Sequence, residues 1–293
     1  MTVLLWLGIA LAVLVALAIG LRAVGGVRWA ERVRTHAAML ESGSVGVQGR
    51  LPSPARFDAR ELEGLPAPVQ RYFRAVLTDG QPIIAAATIQ MTGAMNMSAT
   101  AEQWKPFTSR QRAVTRKPGF LWDARVDMFP GVPAQVEDSY IAGHGRLLAK
   151  VFGLFTVADS EGEGEIARGE FMRYFAESPW YPTALLPSQG VRWEAVDGAS
   201  ANATLVDGPI TLTMLFRFND AGLIASVRAA SRGAGVGKEG VMVMLPWDCS
   251  LSDYQPQHGM LIPMTGEAAW MRPAGRKAYF IGHVKTLSHE FLP

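Results

Sequence analysis

From Ile83 to the C-terminus the apolar residues recur with a period of two, and the pattern breaks once. The clearest runs are Phe120, Trp122, Ala124, Val126 and Met128; Ile210, Leu212, Met214, Phe216 and Phe218; and Val241, Val243, Leu245, Trp247 and Cys249. Successive strand residues point to opposite faces, so each run marks one buried face of a strand. Turn signals at 143–145, 197–198, 207–208, 219–222 and 273–275 fall where hairpins need them. About ten such candidates joined by short connections form an antiparallel meander. A sheet that wide curls, because wide flat sheets are unusual. The expected fold is mainly β: an N-terminal transmembrane helix, then one antiparallel curved sheet, a half-barrel or open barrel, with two packing helices.

The break is the stretch 169–188, GEFMRYFAESPWYPTALLPS. Phe171, Met172, Phe175 and Ala176 recur at helical spacing, Glu177 and Ser178 close the polar side, and Pro179 stops the helix. Trp180, Tyr181 and Pro182 follow as a rigid cluster, then a short apolar turn ends at Pro187. This segment reads as a plug on the sheet. A second helix starts at Pro68, with Val69, Tyr72, Phe73, Val76 and Leu77 as its apolar face and Gly80 and Pro82 at its end. The helices are expected near 68–79 and 166–178.

Residues 3–21 form an unbroken apolar run of about 19 residues, which spans about 28 Å as a helix, the thickness of a bilayer core. A transmembrane helix is expected. A cleaved signal peptide would need a basic stretch before Val3, which is absent, although Ala18-Ile19-Gly20 resembles a cleavage box. Arg22, Arg28, Arg32 and Arg34 follow the run and no Lys or Arg precedes it, so the positive-inside rule puts the bulk of the chain in the cytoplasm; the alternative is the periplasmic face. Residues 27–41 continue as a basic amphipathic helix with Trp29, Val33, Ala37 and Leu40 on one stripe. It either lies along an anionic membrane surface or extends the spanning helix. Residues 42–68, rich in Gly, Ser and Pro, read as a linker. The expected division is a transmembrane helix at 1–24, a juxtamembrane basic helix and linker at 25–67, and one all-β domain at 68–293.

Net charge is +2, and the excess lies in the juxtamembrane arginines, which argues against a nucleic-acid surface on the folded part. The single Cys249 reads as a small buried hydrophobe and excludes an internal disulfide. Gly235, Gly237 and Gly240 match a dinucleotide fingerprint by letter, but a strand follows where a helix is required, so a hairpin loop is expected. Residues 159–170, DSEGEGEIARGE, place oxygens at calcium-loop positions through Asp159, Glu161, Glu163 and Glu170. The long glutamates crowd such a loop and the preceding segment is strand-like, so a solvated acidic loop is preferred. Histidines 36, 144, 258, 283 and 289 show no metal spacing, though His283 and His289 would share a strand face. Neither a metal nor a cofactor is expected.

What remains is a surplus of inward aromatic and Met residues without a polar catalytic set, the composition of an apolar binding site. The expected function is a membrane-tethered binding module for an apolar or amphipathic ligand such as a lipid. Its candidate ligand-binding residues are Trp122, Tyr140, Phe175, Glu177, Trp180, Tyr181 and Trp193. The alternative is a hydrolase or isomerase on a lipid-like substrate, with Asp123, Asp138 or Glu177 as general acid or base, each beside an aromatic residue that could raise its pKa.

At GFLWDARVDMFPG, GHGRLLAKVFG, GEFMRYFAESPWYPTALLPSQGVRW and SDYQPQHGMLIPMTGEAAW the sequence resembles a bacterial family of membrane-anchored proteins carrying a domain of unknown function, from about Pro68 to the C-terminus. The last stretch is also similar to the closing strands of periplasmic lipoprotein carriers. That likeness implies a curved sheet over an apolar cavity, on the outer side of the membrane.

Overall fold

The computed structural model describes residues 2–45, 54–236 and 241–292. Thirteen strands form one antiparallel sheet. The first six are β1 (Ile84–Asn96), β2 (Trp104–Val114), β3 (Gly119–Phe129), β4 (Val132–Ile141), β5 (His144–Val151) and β6 (Phe155–Gly162). The rest are β7 (Arg192–Asp197), β8 (Ser200–Asp207), β9 (Ile210–Phe218), β10 (Ile224–Val236), β11 (Met242–Gln257), β12 (Met260–Arg272) and β13 (Gly275–Phe291). Helices α1 (Thr2–Val45), α2 (Ala67–Val76) and α3 (Glu165–Ala176) complete the chain, with short 3-10 turns after α3. The mainly β, curved-sheet expectation holds.

The strand order is β6-β5-β4-β3-β2-β1-β13-β12-β11-β10-β9-β8-β7, so β1 and β13 pair at the centre and β6 and β7 form the two edges. A hairpin cannot join strands at opposite edges. The connection from β6 to β7 must therefore cross the concave face, and it does so as α3 and the 3-10 turns. α3 packs on β3, β4, β5 and β6 of one wing and on β9 and β10 of the other, which requires the sheet to curl around it. Gly145 lets it seat closely, since a Cβ there would lie 2.7 Å from the backbone of Ala167. The phenol of Tyr140 on β4 donates to Asp207 Oδ2 on β8 at 2.8 Å and ties the wings together.

Burial follows the alternation. On β3, Phe120, Trp122, Ala124 and Val126 enter the main core on the concave side, while Leu121 joins a small second core with Leu40, Ala86 and Val114 on the convex side. α1 makes that second core. It is one continuous helix whose Gly25, Trp29, Arg32, His36 and Leu40 turn toward the sheet at spacings of three to four residues. The Trp29 indole donates to Asp123 Oδ1 at 2.8 Å, and Glu137, fully buried on β4, receives Arg32 at 3.3 Å and His36 at 2.6 Å. Arg112 on β2 bonds Glu41 of α1 at 2.7 Å and Glu290 of β13 at 2.5 Å. The amphipathic stripe foreseen for a membrane surface is thus occupied by protein: the helix extends the apolar run and its face covers β1–β4.

Part of the expected linker is packed as well. Phe57 and Leu62 are buried, Phe57 N–H donates to Gln81 O at 2.9 Å, and residues 59–62 form a 3-10 turn capped by Asp58. Residues 46–53 lie outside the described residues. The calcium-loop pattern dissolves because Asp159 and Glu161 stand on β6, where both pair with Arg146. Among the described residues no three His, Cys, Asp or Glu side chains are placed to hold a metal. His283 and His289 fall on opposite faces, since a register shift opposite Gln90 and Met91 reverses the alternation between them. His283 accordingly meets Thr265 outside, whereas His289 meets the Trp180 carbonyl inside. Of the glycine fingerprint, Gly235 ends β10, and Gly237 and Gly240 lie outside the described residues.

Candidate functional site

One face of α3 is charged. Glu165, Gly169, Arg173 and Glu177 recur every four residues and, with Glu170 beside them, line a cavity of about 360 Å³ between the helix and the sheet. The opposite face, Phe171, Tyr174 and Phe175, enters the core. The remaining walls are largely apolar or aromatic, from Met95, Trp122, Val136, Leu147, Trp180, Trp247, Ala268, Trp270 and Phe280.

Two buried arginines stand on the floor, each against aromatic rings. The Arg173 guanidinium lies 4.9 Å from the Phe120 ring centre and 4.8 Å from that of Trp122. Its Nε bonds Glu177 Oε1 at 2.8 Å, one Nη bonds Asp138, and the other reaches Gln111 Oε1 at 3.2 Å. Gln111 in turn donates to the second oxygen of Glu177 at 2.7 Å. Burial alone would lower the pKa of Arg173, but Glu177, Asp138 and Glu170 outweigh it and hold the group charged. Arg232, from β10, lies 4.6 Å over the Trp247 ring and 3.6 Å from Glu170 Oε1.

The carboxylates outnumber the cations here, and the imbalance falls on Glu170. Burial, and then the nearby charge of Asp138, push its pKa well above the carboxylate range. Glu170 Oε2 and Asp138 Oδ1 are both buried without a hydrogen-bond partner in the structure. Arg232 Nε is likewise buried and unpartnered. Cys249 also lines the cavity, where burial pushes its thiol up and keeps it neutral.

Of the residues singled out in the sequence, Trp122, Glu177 and Trp180 meet at this cavity, together with Asp138. Tyr140, Phe175, Tyr181 and Trp193 lie in the packed core away from it: Tyr140 stacks on Phe171 at 5.0 Å, Phe175 meets Phe216 at 5.4 Å, and Trp193 meets Phe216 at 5.0 Å. The Tyr181 hydroxyl donates to Tyr174 O at 2.7 Å. Asp123 is on the convex face under Trp29. Arg173 and Arg232 were not foreseen, and Glu170 was singled out only as a calcium-loop oxygen. Glu170 and Arg173 carried a signal, since Glu170, Arg173 and Glu177 share one helical face.

A family of unknown function (DUF6920) matches the sequence over residues 63–289. The chain belongs to this family. The DUF6920 region begins just before α2, runs into β13 and includes every residue of the cavity, while α1 lies outside it. No curated protein matches the sequence. Among solved structures, the chain is similar to one described as a LolA superfamily protein from Nitrosomonas europaea, at 10% identity over 72% of this chain and 88% of that one, with a TM-score of 0.36.

Proposed function

We propose that this protein is a membrane-tethered binding module for an amphipathic, lipid-like ligand held between the concave face and α3. The observation that carries the reading is the cavity: its volume falls in the range of small-molecule sites, about 300 to 1,000 Å³, and its walls are mostly apolar with few polar groups. The apolar part of the ligand lies against Met95, Val136, Trp270 and Phe280, and an ester or phosphoryl oxygen at its polar end accepts from Arg232 Nε. The tether is α1, whose N-terminal part is long and apolar enough to cross a membrane and whose described side chains are exposed along that length. In this reading the chain divides into a span at 1–24, a juxtamembrane segment at 25–67 and the β domain at 68–293. The four arginines after the span favour a cytoplasmic domain.

Native mass spectrometry of the full chain released from membranes tests the binding. A bound lipid mass is expected, lost in Ala268→Phe, which fills the cavity from β12. A wild-type chain that carries nothing when released from lipid-rich membranes removes the reading.

A second reading, general-acid chemistry on a lipid-like substrate, is favoured by the proton held at Glu170 inside the cavity. Asp138 and Glu177 are both occupied by Arg173, so Glu170 is the group to test. If Glu170→Gln keeps the bound lipid intact and the wild type returns it cleaved or isomerised, the enzyme reading prevails.

A further inference from the structure

The cavity is closed on one side and open on the other. Toward α2 and the 3-10 turns the sheet is plugged: Ile84, Met260 and Ile262 are buried there, and Ile84 N–H donates to Thr183 at 3.0 Å. Toward the opposite rim the lining residues Met95, Trp270, Phe280 and Met242 are only half-buried; Met95, Trp270 and Met242 lie at or near a strand end, and Phe280 pairs with Met95. Neighbouring strands alternate in direction, so the β1–β2, β3–β4, β5–β6, β8–β9 and β12–β13 turns, and the adjoining ends of β10 and β11, all point to this side.

Two independent features coincide there. Outside α1, the large apolar side chains exposed among the described residues collect on this rim: Met97, Phe129 and Phe155 on one wing, Val241, Val243 and Met244 on the other. Val157 stands two residues along β6 from Phe155, Val206 precedes the β8–β9 turn, and only Val196 lies at the other end of its strand. Phe129 is 64% and Phe155 56% exposed, a large loss for a soluble surface and a gain in lipid. The second feature is α1. Arg22, the residue after the apolar run, bonds the carbonyl of Gly131 in the β3–β4 turn at 3.3 Å, and Gly25 lies against the β5–β6 turn. The β5–β6 tip therefore sits about one helical turn, 5.4 Å, past the end of the apolar run, and the β3–β4 tip lies within reach of the Arg22 side chain. Charge agrees with an anionic surface: Arg28, Arg32 and Lys150 line a small cleft beside the β5–β6 turn, and Lys105 lies 5.0 Å over the Phe129 ring.

We propose that the open rim rests on the same bilayer that α1 spans, with Phe129, Phe155 and Val243 in its interfacial layer, so that the cavity takes its ligand directly from the adjoining leaflet. The inference rests on the membrane-tethered binding reading and adds where the ligand comes from. α1 is here a rigid mount that fixes the height and tilt of the domain.

Depth-dependent quenching tests it on the full chain in vesicles containing phosphatidylglycerol. An environment-sensitive NBD label is placed at Phe155→Cys, at Val243→Cys, or at Asp220→Cys on the β9–β10 turn as control, with buried Cys249 left in place. The first two labels should shift to the blue and lose emission to spin-labelled lipid, and the third should do neither. Water-like, unquenched emission at both 155 and 243 overturns the inference. Native mass spectrometry of the same samples separates it from the binding reading: carried lipid with both rim labels in water leaves binding standing and sinks the docking. Docked labels on a chain that carries no lipid do the reverse.

Discussion

Gly25 of α1 meets Gly153 of the β5–β6 turn backbone to backbone. A Cβ on Gly25 would lie 1.8 Å from the carbonyl oxygen of Phe152, and a Cβ on Gly153 would lie 2.7 Å from that of Gly25. No side chain can be interposed without lifting the helix off the sheet. The next residue, Gly26, faces open space, and a Cβ there would meet nothing within 4 Å. Gly25→Leu should therefore destabilise the detergent-solubilised chain by about 1 to 3 kcal/mol or more, as overpacking does. Gly26→Ala should stabilise it by about 0.5 to 1 kcal/mol through helix propensity alone. Chemical denaturation of both variants checks the pair, and equal effects would contradict the contact.

Arg173→Met leaves Asp138 and Glu177 buried without their cation. A loss of about 3 to 5 kcal/mol is expected, the usual cost of orphaning a buried charge. Arg173→Lys should fall between the two, because an ammonium keeps the charge but cannot fork to both carboxylates while lying flat against Phe120 and Trp122. Thermal unfolding of the three chains ranks them.

Glu170 gives the stability a pH dependence of definite sign. Its folded pKa is raised, so the folded state holds a proton that the unfolded chain releases near the ordinary Glu value, about 4.3. Its contribution is fully present below that pH and declines as pH rises toward the folded pKa. Glu170→Gln mimics the protonated group and cannot ionise. The variant should match wild type at pH 4, and the difference in midpoint should open in favour of the variant as pH rises through neutrality.

Val13→Asp puts one charge at the centre of the apolar run and should cost about 2.5 to 3.5 kcal/mol of insertion on the translocon scale. The membrane-bound fraction is the readout, and an unchanged fraction would mean that residues 3–21 do not hold the chain in the bilayer. A topology reporter fused after Pro293 reads the side, with cytoplasmic activity expected. Arg32 is engaged by Glu137 and Arg22 by Gly131, so those two have a structural use besides any topogenic one.

The sheet was legible in the sequence because period two is written directly into runs such as Phe120 to Met128, and α3 because its helical spacing ends at Pro179. The far reach of α1 was harder to read, since a stripe of Trp29, Val33, Ala37 and Leu40 looks the same whether its partner is a bilayer or the back of a sheet. Arg232 was hidden by geometry. A register shift between Ala229 and Arg232 advances the alternation by one residue, so a chain that buries Val227 and Ala229 next buries Arg232 instead of Ser231. Aromatic residues misled in the other direction: Tyr140, Phe175, Tyr181 and Trp193 are as apolar as the cavity wall and serve to pack the core beneath it.

The two edges of the sheet, β6 and β7, never meet. A closed barrel has a fixed girth, and widening it would break a whole ladder of backbone bonds. Here the girth is held by the wedge of α3 and by a clasp between Tyr140 and Asp207, a single hydrogen bond to a carboxylate worth about 1.5 to 3 kcal/mol. The fold is thus built as a leaf spring, whose girth can change while every strand keeps its neighbours.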